Sequence, residues 1–505
     1  MMMASFSLME LANAISATIQ CTDDSVLDTA ALDATALEAS VAQRINTDTR
    51  SIQTGDVFLA LRGENFDGHD YLQQAQDSGA VAAIVDEKYI QNNDLLNSSL
   101  EKPLTLLVVA DTLLALGQAS SWNRQKFAGP LIAITGSAGK TSVKSMASHM
   151  MQLVGKCWAT PGNFNNHIGA PLTLLGLEQQ HKAAVIELGA SGQGEIAYTS
   201  QFASPDVAII TNVSGAHLEG FGSIETIMRT KGEIIDSLGA NGCAVLNADD
   251  CFYADWVLRA GQRKVLSFGI ENYADIMATN IVCDENGSRF DVLYQQTETA
   301  ACEIPLLGQH NVLNALSAIA AGLALGLNLE DICAQLKTLP MVDGRLQWVD
   351  GADQTRILND SYNASPASVK AAIDVLALWK EEAWLVLGDM AELGDDSAAI
   401  HAEMGEYAQQ KGIANFVATG SACRYAVEAF TNAASKKEAE KRSARWFEQQ
   451  SELLNYINDN KQPGQVFLVK GSRSAGMDKV VKALSVKSSQ VIKSDSDSRN
   501  KIGEV

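Results

Sequence analysis

Along this 505-residue chain, short unbroken apolar runs take turns with longer stretches of helical period. Leu131 to Thr135, Ala183 to Leu188 and Val207 to Thr211 are short runs rich in branched residues, and they read as strands buried on both faces. Ala244 to Leu246 and Val265 to Phe268 continue the series. Short apolar strands separated by helical segments predict a mostly parallel sheet covered by helices on both sides. From Ile276 to Ile304 the runs turn shorter and more polar, which predicts a small antiparallel insert. Leu307 to Asn311 then leads into an Ala/Leu-rich helix ending at Leu325.

The same alternation frames both flanks. Phe6, Leu8, Leu11, Ala12 and Ile15 fall at helical spacing within residues 5–18. A strand from Asp56 to Leu61, a helix from Tyr71 to Ser78, strands Ala80 to Val85 and Leu104 to Val109, and a helix from Leu113 to Trp122 predict a small α/β unit. Between the first two lies Arg62 to Asp70, polar and glycine-rich, either a surface turn or a binding loop. Pro340 and Gly344 punctuate the next boundary. Strands at Thr355 to Leu358, Trp384 to Leu387, Phe416 to Thr419 and Val466 to Val469, with a helix from Pro366 to Leu378, predict a second doubly wound unit of dinucleotide-fold type. It has no G-x-G-x-x-G, so no nicotinamide cofactor is expected. The expected fold class is α/β in three domains: residues 1–127, a central phosphate-loop-type domain at 128–339, and a dinucleotide-fold-like domain at 340–485. Residues 486–505 are Ser/Lys/Asp-rich and read as a disordered tail.

Composition narrows the function classes. A formal charge of −22 argues against a nucleic-acid binder, which carries basic patches. The eight cysteines include no C-x-x-C, so neither a zinc site nor a disulfide framework is expected. The opening residues lack a basic region and a long apolar core, and no run reaches the ~20 apolar residues of a membrane span. A cytoplasmic protein without membrane insertion is expected.

The chemistry centres on Leu131 to Ser142, LIAITGSAGKTS. A glycine turn between strand and helix aims backbone N–H groups at phosphate oxygens, aided by the positive helix end. Gly136, Ser137, Ala138 and Gly139 would cradle the phosphates, Lys140 would reach the terminal ones, and the Thr141 hydroxyl would ligate Mg²⁺, with Ser142 following. The loop is shorter than G-x-x-x-x-G-K-[ST], because position 134 holds Ile. Glu187, ending a buried strand, is either a solvated carboxylate or a Mg²⁺ ligand. His217 follows a strand end, and Lys231 sits in a helical stretch where a surface lysine is the plain reading. These patterns fit a nucleotide-dependent enzyme, a nucleotide-driven switch, or a nucleotide-binding scaffold.

Taken together the motifs resemble the Mur ligases. They are TGSAGKTS (Thr135 to Ser142), GNFNNHIGAPLTLL (Gly162 to Leu175), ELGA (Glu187 to Ala190), HLEGFG (His217 to Gly222) and KGEI (Lys231 to Ile234). GQHNVLNA (Gly308 to Ala315), Gly344-Arg345, NDSYNASP (Asn359 to Pro366) and GDMAELG (Gly388 to Gly394) continue in family order, and Asp48 to Leu72 fits as well. The resemblance covers roughly residues 45 to 480. It implies an ATP-dependent ligase that phosphorylates a carboxylate and lets an amine attack the acyl phosphate. The wording of NFNNHIG and GDMAELG implies UDP-N-acetylmuramoyl-tripeptide and D-alanyl-D-alanine as substrates; a monomer is expected. It implies that Thr141, Glu187, His217 and Lys231 surround the metal, with Lys231 carbamylated by CO₂. Asn311 and Asn314 would contact adenine or ribose, Asp360 a ribose hydroxyl, and Arg345 would clamp phosphate from the third domain. Thr49, Arg62, Asp67 and His69 would face the UDP-sugar, and Asn163, Asn165, Asn166 and His167 the muramoyl-peptide side. Tyr362 stands where other members carry lysine and receives no role. A folylpolyglutamate-type ligase shares the acyl-phosphate logic, but the Asp67-Gly68-His69 loop speaks against it.

Overall fold

The apolar runs become the inner strands of three sheets in the computed structural model, which describes residues 5–21, 41–92, 104–215, 218–433 and 442–486. The first sheet has five strands in the order Thr18–Cys21, Thr105–Val109, Ala82–Asp86, Asp56–Leu59 and Arg44–Asn46, parallel except for the first pair. The helical spacing expected over residues 5–18 is realised only as Leu8–Ala14. A capping box between Ser7 and Glu10 starts that helix, and the chain then turns into the strand Thr18–Cys21. Phe6 pairs with Ala42 in a two-stranded ribbon instead of joining the helix. All five apolar side chains of the stretch are nonetheless buried.

The central sheet has nine strands. Its order is Glu298–Ile304, Gly287–Tyr294, Ile276–Asp284, Lys264–Gly269, Cys243–Asn247, Val207–Ile210, Leu131–Thr135, Ala183–Glu187 and Cys157–Ala159. The stretch 276–304 is antiparallel, as its polarity suggested. It is an extension of the main sheet, however: Ile276 pairs in parallel with Phe268, so Ile276, Val292 and Ile304 join the central core. The helix Gln309–Ala324 lies across this core and contributes Val312, Leu316 and Ile319.

The third sheet runs Gln347–Asp350, Arg356–Asp360, Val466–Lys470, Ala383–Gly388, Asn415–Thr419 and Ser443–Phe447. Only the first pair is antiparallel. In such parallel sheets ligands gather at the carboxyl ends of the strands. Residues 487–505, nearly all of the expected tail, lie outside the described residues. Among the described residues no helix is long and apolar enough to cross a membrane.

Candidate active site

Strand Leu131–Thr135 ends at a four-residue turn, and helix Lys140–Met150 begins directly behind it. Gly139 has φ +81°, and a Cβ there would stand 2.5 Å from Asn314 Oδ1, so only glycine permits this approach. Asn212, at the end of the adjacent strand, shapes the turn. Its Oδ1 accepts from the Ala138 N–H at 3.0 Å, and its carbonyl accepts from the Ser137 N–H at 2.9 Å. Lys140 Nζ donates to the carbonyls of Gly136 (2.7 Å) and Ser137 (3.3 Å). Burial lowers the Lys140 pKa, and the Glu187 carboxylate opposes that shift.

Glu187 is 2% exposed, which removes the solvated reading. Its Oε1 accepts from Asn165 Nδ2 at 2.8 Å and from Thr141 Oγ1 at 3.4 Å. Its Oε2 forms an ion pair with Lys144 Nζ at 3.2 Å but accepts no hydrogen bond among the described residues. Lys144 lies one turn beyond Lys140 and also donates to the Gly162 carbonyl at 2.8 Å. The Thr141 hydroxyl and the buried Glu187 carboxylate, whose Oε2 accepts no hydrogen bond among the described residues, are oxygen donors that suit Mg²⁺.

A cavity of about 850 Å³ opens between this loop and the third sheet. Ser137, Ala138, Gly139, Lys140, Thr141, Asn163, Asn165, Asn166 and Glu187 line one side. Arg345, Tyr362 and Arg473 line the other. Arg345 Nη2 donates to Thr141 Oγ1 at 3.2 Å, so the third sheet's unit reaches the first turn of helix Lys140–Met150 directly. A second cavity of about 270 Å³ adjoins, lined by Ser142, His310, Asn311, Asn314, Arg345, Asp360 and Lys470 among others. Asn314 Nδ2 donates to Asn311 Oδ1, and Asn311 Nδ2 to the Leu307 carbonyl. Asp360 is paired with Lys470, its neighbour in register on the adjacent strand. Burial pushes His310 down to about 4, so its ring is neutral near pH 7.

Lys231 departs from the surface-lysine reading. It is 2% exposed on helix Ile224–Asp236, and among the described residues its ammonium has no hydrogen bond or ion pair. Its nitrogen lies 5.5 Å from the centre of the Phe221 ring. Burial, then the Lys140 cation, pushes it down to about 7. His217 lies outside the described residues.

The first sheet's candidates form a separate group that lines neither cavity. Arg62 pairs with Asp86 (2.7 Å) and with Asp67. His69 Nδ1 meets Asp67 Oδ1 at 2.6 Å, while its Nε2 accepts from the Asp86 N–H. Thr49 starts a short helical turn nearby in sequence. Asn166 Oδ1 caps helix Gly169–Leu175 through the Gly169 N–H at 2.8 Å, and His167 lines neither cavity. Lys144, Lys470, Asp86 and Arg473 escaped the sequence reading. Register pairing to Asp360 is the signal for Lys470, but it exists only once the strands are paired.

Comparison with known proteins adds three family matches in chain order. The Mur ligase family catalytic domain covers residues 42–120, the Mur ligase middle domain 134–322, and the Mur ligase glutamate ligase domain 344–473. The UDP-N-acetylmuramoyl-tripeptide–D-alanyl-D-alanine ligase of Escherichia coli (strain K12) is 40% identical over 446 residues, 87% of this chain and 93% of the relative. A crystal structure of MurF from Acinetobacter baumannii superposes with a TM-score of 0.83 at 33% identity, covering 96% of this chain and 99% of the other. MurF ligase from Thermotoga maritima, solved in complex with ADP, gives 0.76 at 27% identity over 88% of this chain and 97% of the other. With its three sheets and these matches along most of its length, the chain belongs to the Mur ligase family.

Proposed function

We propose that this chain is an ATP-dependent ligase that joins D-alanyl-D-alanine to UDP-N-acetylmuramoyl-tripeptide in peptidoglycan precursor synthesis, acting as a cytoplasmic monomer. The observation that carries the reading is the 850 Å³ cavity with Lys140, Thr141 and Glu187 on one wall and Arg345 on the other. The activity printed for the 40%-identical relative supports the choice of substrates.

A free carboxylate is a poor acylating agent, and transfer of the terminal phosphoryl group makes one of its oxygens a leaving group. The carboxylate oxygen attacks the γ-phosphorus and ADP departs. The dipeptide amine then attacks the acyl carbon, and phosphate leaves with that oxygen. Charge neutralisation and positioning supply most of the acceleration in such transfers. Here the loop amides and Lys140 hold the triphosphate, and Arg345 meets it from the third sheet's unit. Asn311, Asn314 and Asp360 border the smaller cavity, which suits the nucleoside. Thr141 and Glu187 would hold Mg²⁺, which supplies charge neutralisation on the phosphates when bound. The buried Lys231 amine, with no hydrogen bond or ion pair among the described residues, is suited to carbamylation by CO₂, which would turn a cation into an anion beside the metal site. The network of Arg62, Asp67 and His69, with Thr49 close in sequence, would engage the UDP-sugar, and Asn163 and Asn165 the muramoyl peptide.

The test uses tripeptide substrate with ¹⁸O in its terminal carboxylate. Label appearing in inorganic phosphate, with D-alanyl-D-alanine but not with single amino acids, is the expected outcome. Label retained wholly in the peptide product would overturn the mechanism. Lys140→Ala should abolish ADP formation while leaving the circular dichroism spectrum unchanged.

A further inference from the structure

We propose that Tyr362 is a positioning residue: its ring holds the Arg345 guanidinium in the orientation that meets Thr141. This rests on the reading of Arg345 as a phosphate clamp. The Arg345 Cζ lies 4.4 Å from the centre of the Tyr362 ring, while Nη2 donates to Thr141 Oγ1 at 3.2 Å. The buried Arg345 Nε has no hydrogen bond among the described residues, so no acceptor fixes that side of the guanidinium plane. An arginine side chain has several soft torsions, and an aromatic face in a partly desolvated site restricts them while attracting the charge.

The backbone beneath is built as a mount. The Tyr362 N–H donates to the Gly344 carbonyl at 3.3 Å, and the Leu346 N–H to Asp360 Oδ1 at 3.3 Å. Thus the residues on each side of Arg345 are tied to the residues on each side of Ser361. Gly344 has φ +70°, and a Cβ there would stand 3.1 Å from Tyr362 Cβ. Leu346 adopts φ +48°, an uncommon conformation for a branched side chain. Asp360 is itself fixed by Lys470. The backbone therefore sets where Arg345 starts, and the ring sets where it points. Arg473 also lies near this ring, with Cζ 5.7 Å from its centre, so a single ring attracts two like charges on the cavity wall. The Tyr362 hydroxyl has no hydrogen bond among the described residues, so the ring alone carries the role.

Four full-length variants test this: Tyr362→Phe, Tyr362→Leu, Arg345→Ala and the Arg345→Ala/Tyr362→Leu double variant. The measurements are kcat/KM for ATP, affinity for a non-hydrolysable ATP analogue by calorimetry, and melting temperature. Tyr362→Phe should stay within about twofold of the parent, and Tyr362→Leu should lose about tenfold in kcat/KM and analogue affinity. The double variant should be no worse than Arg345→Ala. Parent-like values for Tyr362→Leu, equal impairment of Phe and Leu variants, or additive losses in the double variant would each overturn the proposal. If Arg345→Ala keeps full affinity, the clamp reading fails and takes the proposal with it. If Arg345→Ala fails and Tyr362→Leu does not, only the proposal falls.

Discussion

Lys144 Nζ stands 3.2 Å from Glu187 Oε2, and both side chains are almost fully buried. A strand-end carboxylate withdrawn from water needs a counter-charge, and the helix behind the phosphate loop supplies it. Lys144→Ala would strand that carboxylate, a change that costs ~3–5 kcal/mol for a buried pair. Because a divalent cation could replace the lost charge, Mg²⁺ should raise the melting temperature of Lys144→Ala more than that of the parent. A melt series against Mg²⁺ reads this directly, and equal responses would show that Glu187 does not face a cation site.

Lys231 carries a pH signature. Its folded pKa of about 7 lies below the ordinary value of 10.5, so burying the ammonium destabilises the fold. Between those values the unfolded chain holds a proton that the folded chain has lost, and stability therefore rises with pH. The penalty is full below pH 7 and gone above 10.5. In CO₂-free buffer, Lys231→Met should gain melting temperature most at pH 6 and converge with the parent near pH 10.5. Lys231→Ala should be nearly inactive and partly rescued by short-chain carboxylic acids. Parent-like activity without added acid would overturn the proposal that Lys231 is carbamylated.

Gly139→Ala sets a Cβ 2.5 Å from Asn314 Oδ1 at a positive φ, so either the loop or the Asn311–Asn314 pair must shift. The cost expected from strain and overpacking is ~1–3 kcal/mol. Nucleotide affinity should fall by more than tenfold while D-alanyl-D-alanine KM changes little. Equal losses for both substrates would point to general disruption of the fold.

Glu285, at the tip of the hairpin between strands 276–284 and 287–294, clasps the third sheet twice. Its carbonyl accepts from Trp348 Nε1 at 3.0 Å, and its carboxylate pairs with Arg356 at 2.8 Å. The Arg356 guanidinium also lies 3.8 Å over the Trp348 ring. Glu285→Ala removes only the exposed ion pair, worth ~0–1 kcal/mol. Denaturation midpoints of parent and variant should differ slightly at low salt and coincide at high salt. A large salt-independent loss would show the pair to be buried in solution.

Legibility followed the physics of each feature. The strand, glycine turn and helix from Leu131 to Met150 and the inner strands are readable because a fully buried strand must be apolar throughout, as in Ile132 to Ile134 and Val207 to Ile210. The edge strands Gln347–Asp350 and Ser443–Phe447 were missed because they are half-exposed and mix polar with aromatic residues. Lys144 hid because a buried lysine on a helix has the same spacing as a surface one. The Asp360–Lys470 pair spans 110 residues, and nothing local marks it. Phe6 kept the helical spacing yet joined a ribbon, since Ser7 makes a better helix start than the residues before it.

At the end of helix Thr112–Gln125, Asn123 Nδ2 gathers the carbonyls of Leu174 and Leu177, and Arg124 reaches the carbonyl of Ala203. These bonds tie the first sheet's last helix to helices Gly169–Leu175 and Glu195–Ala203 of the central unit. An apolar side chain at position 123 would therefore leave the Leu174 and Leu177 carbonyls without the donor that the Asn123 amide supplies.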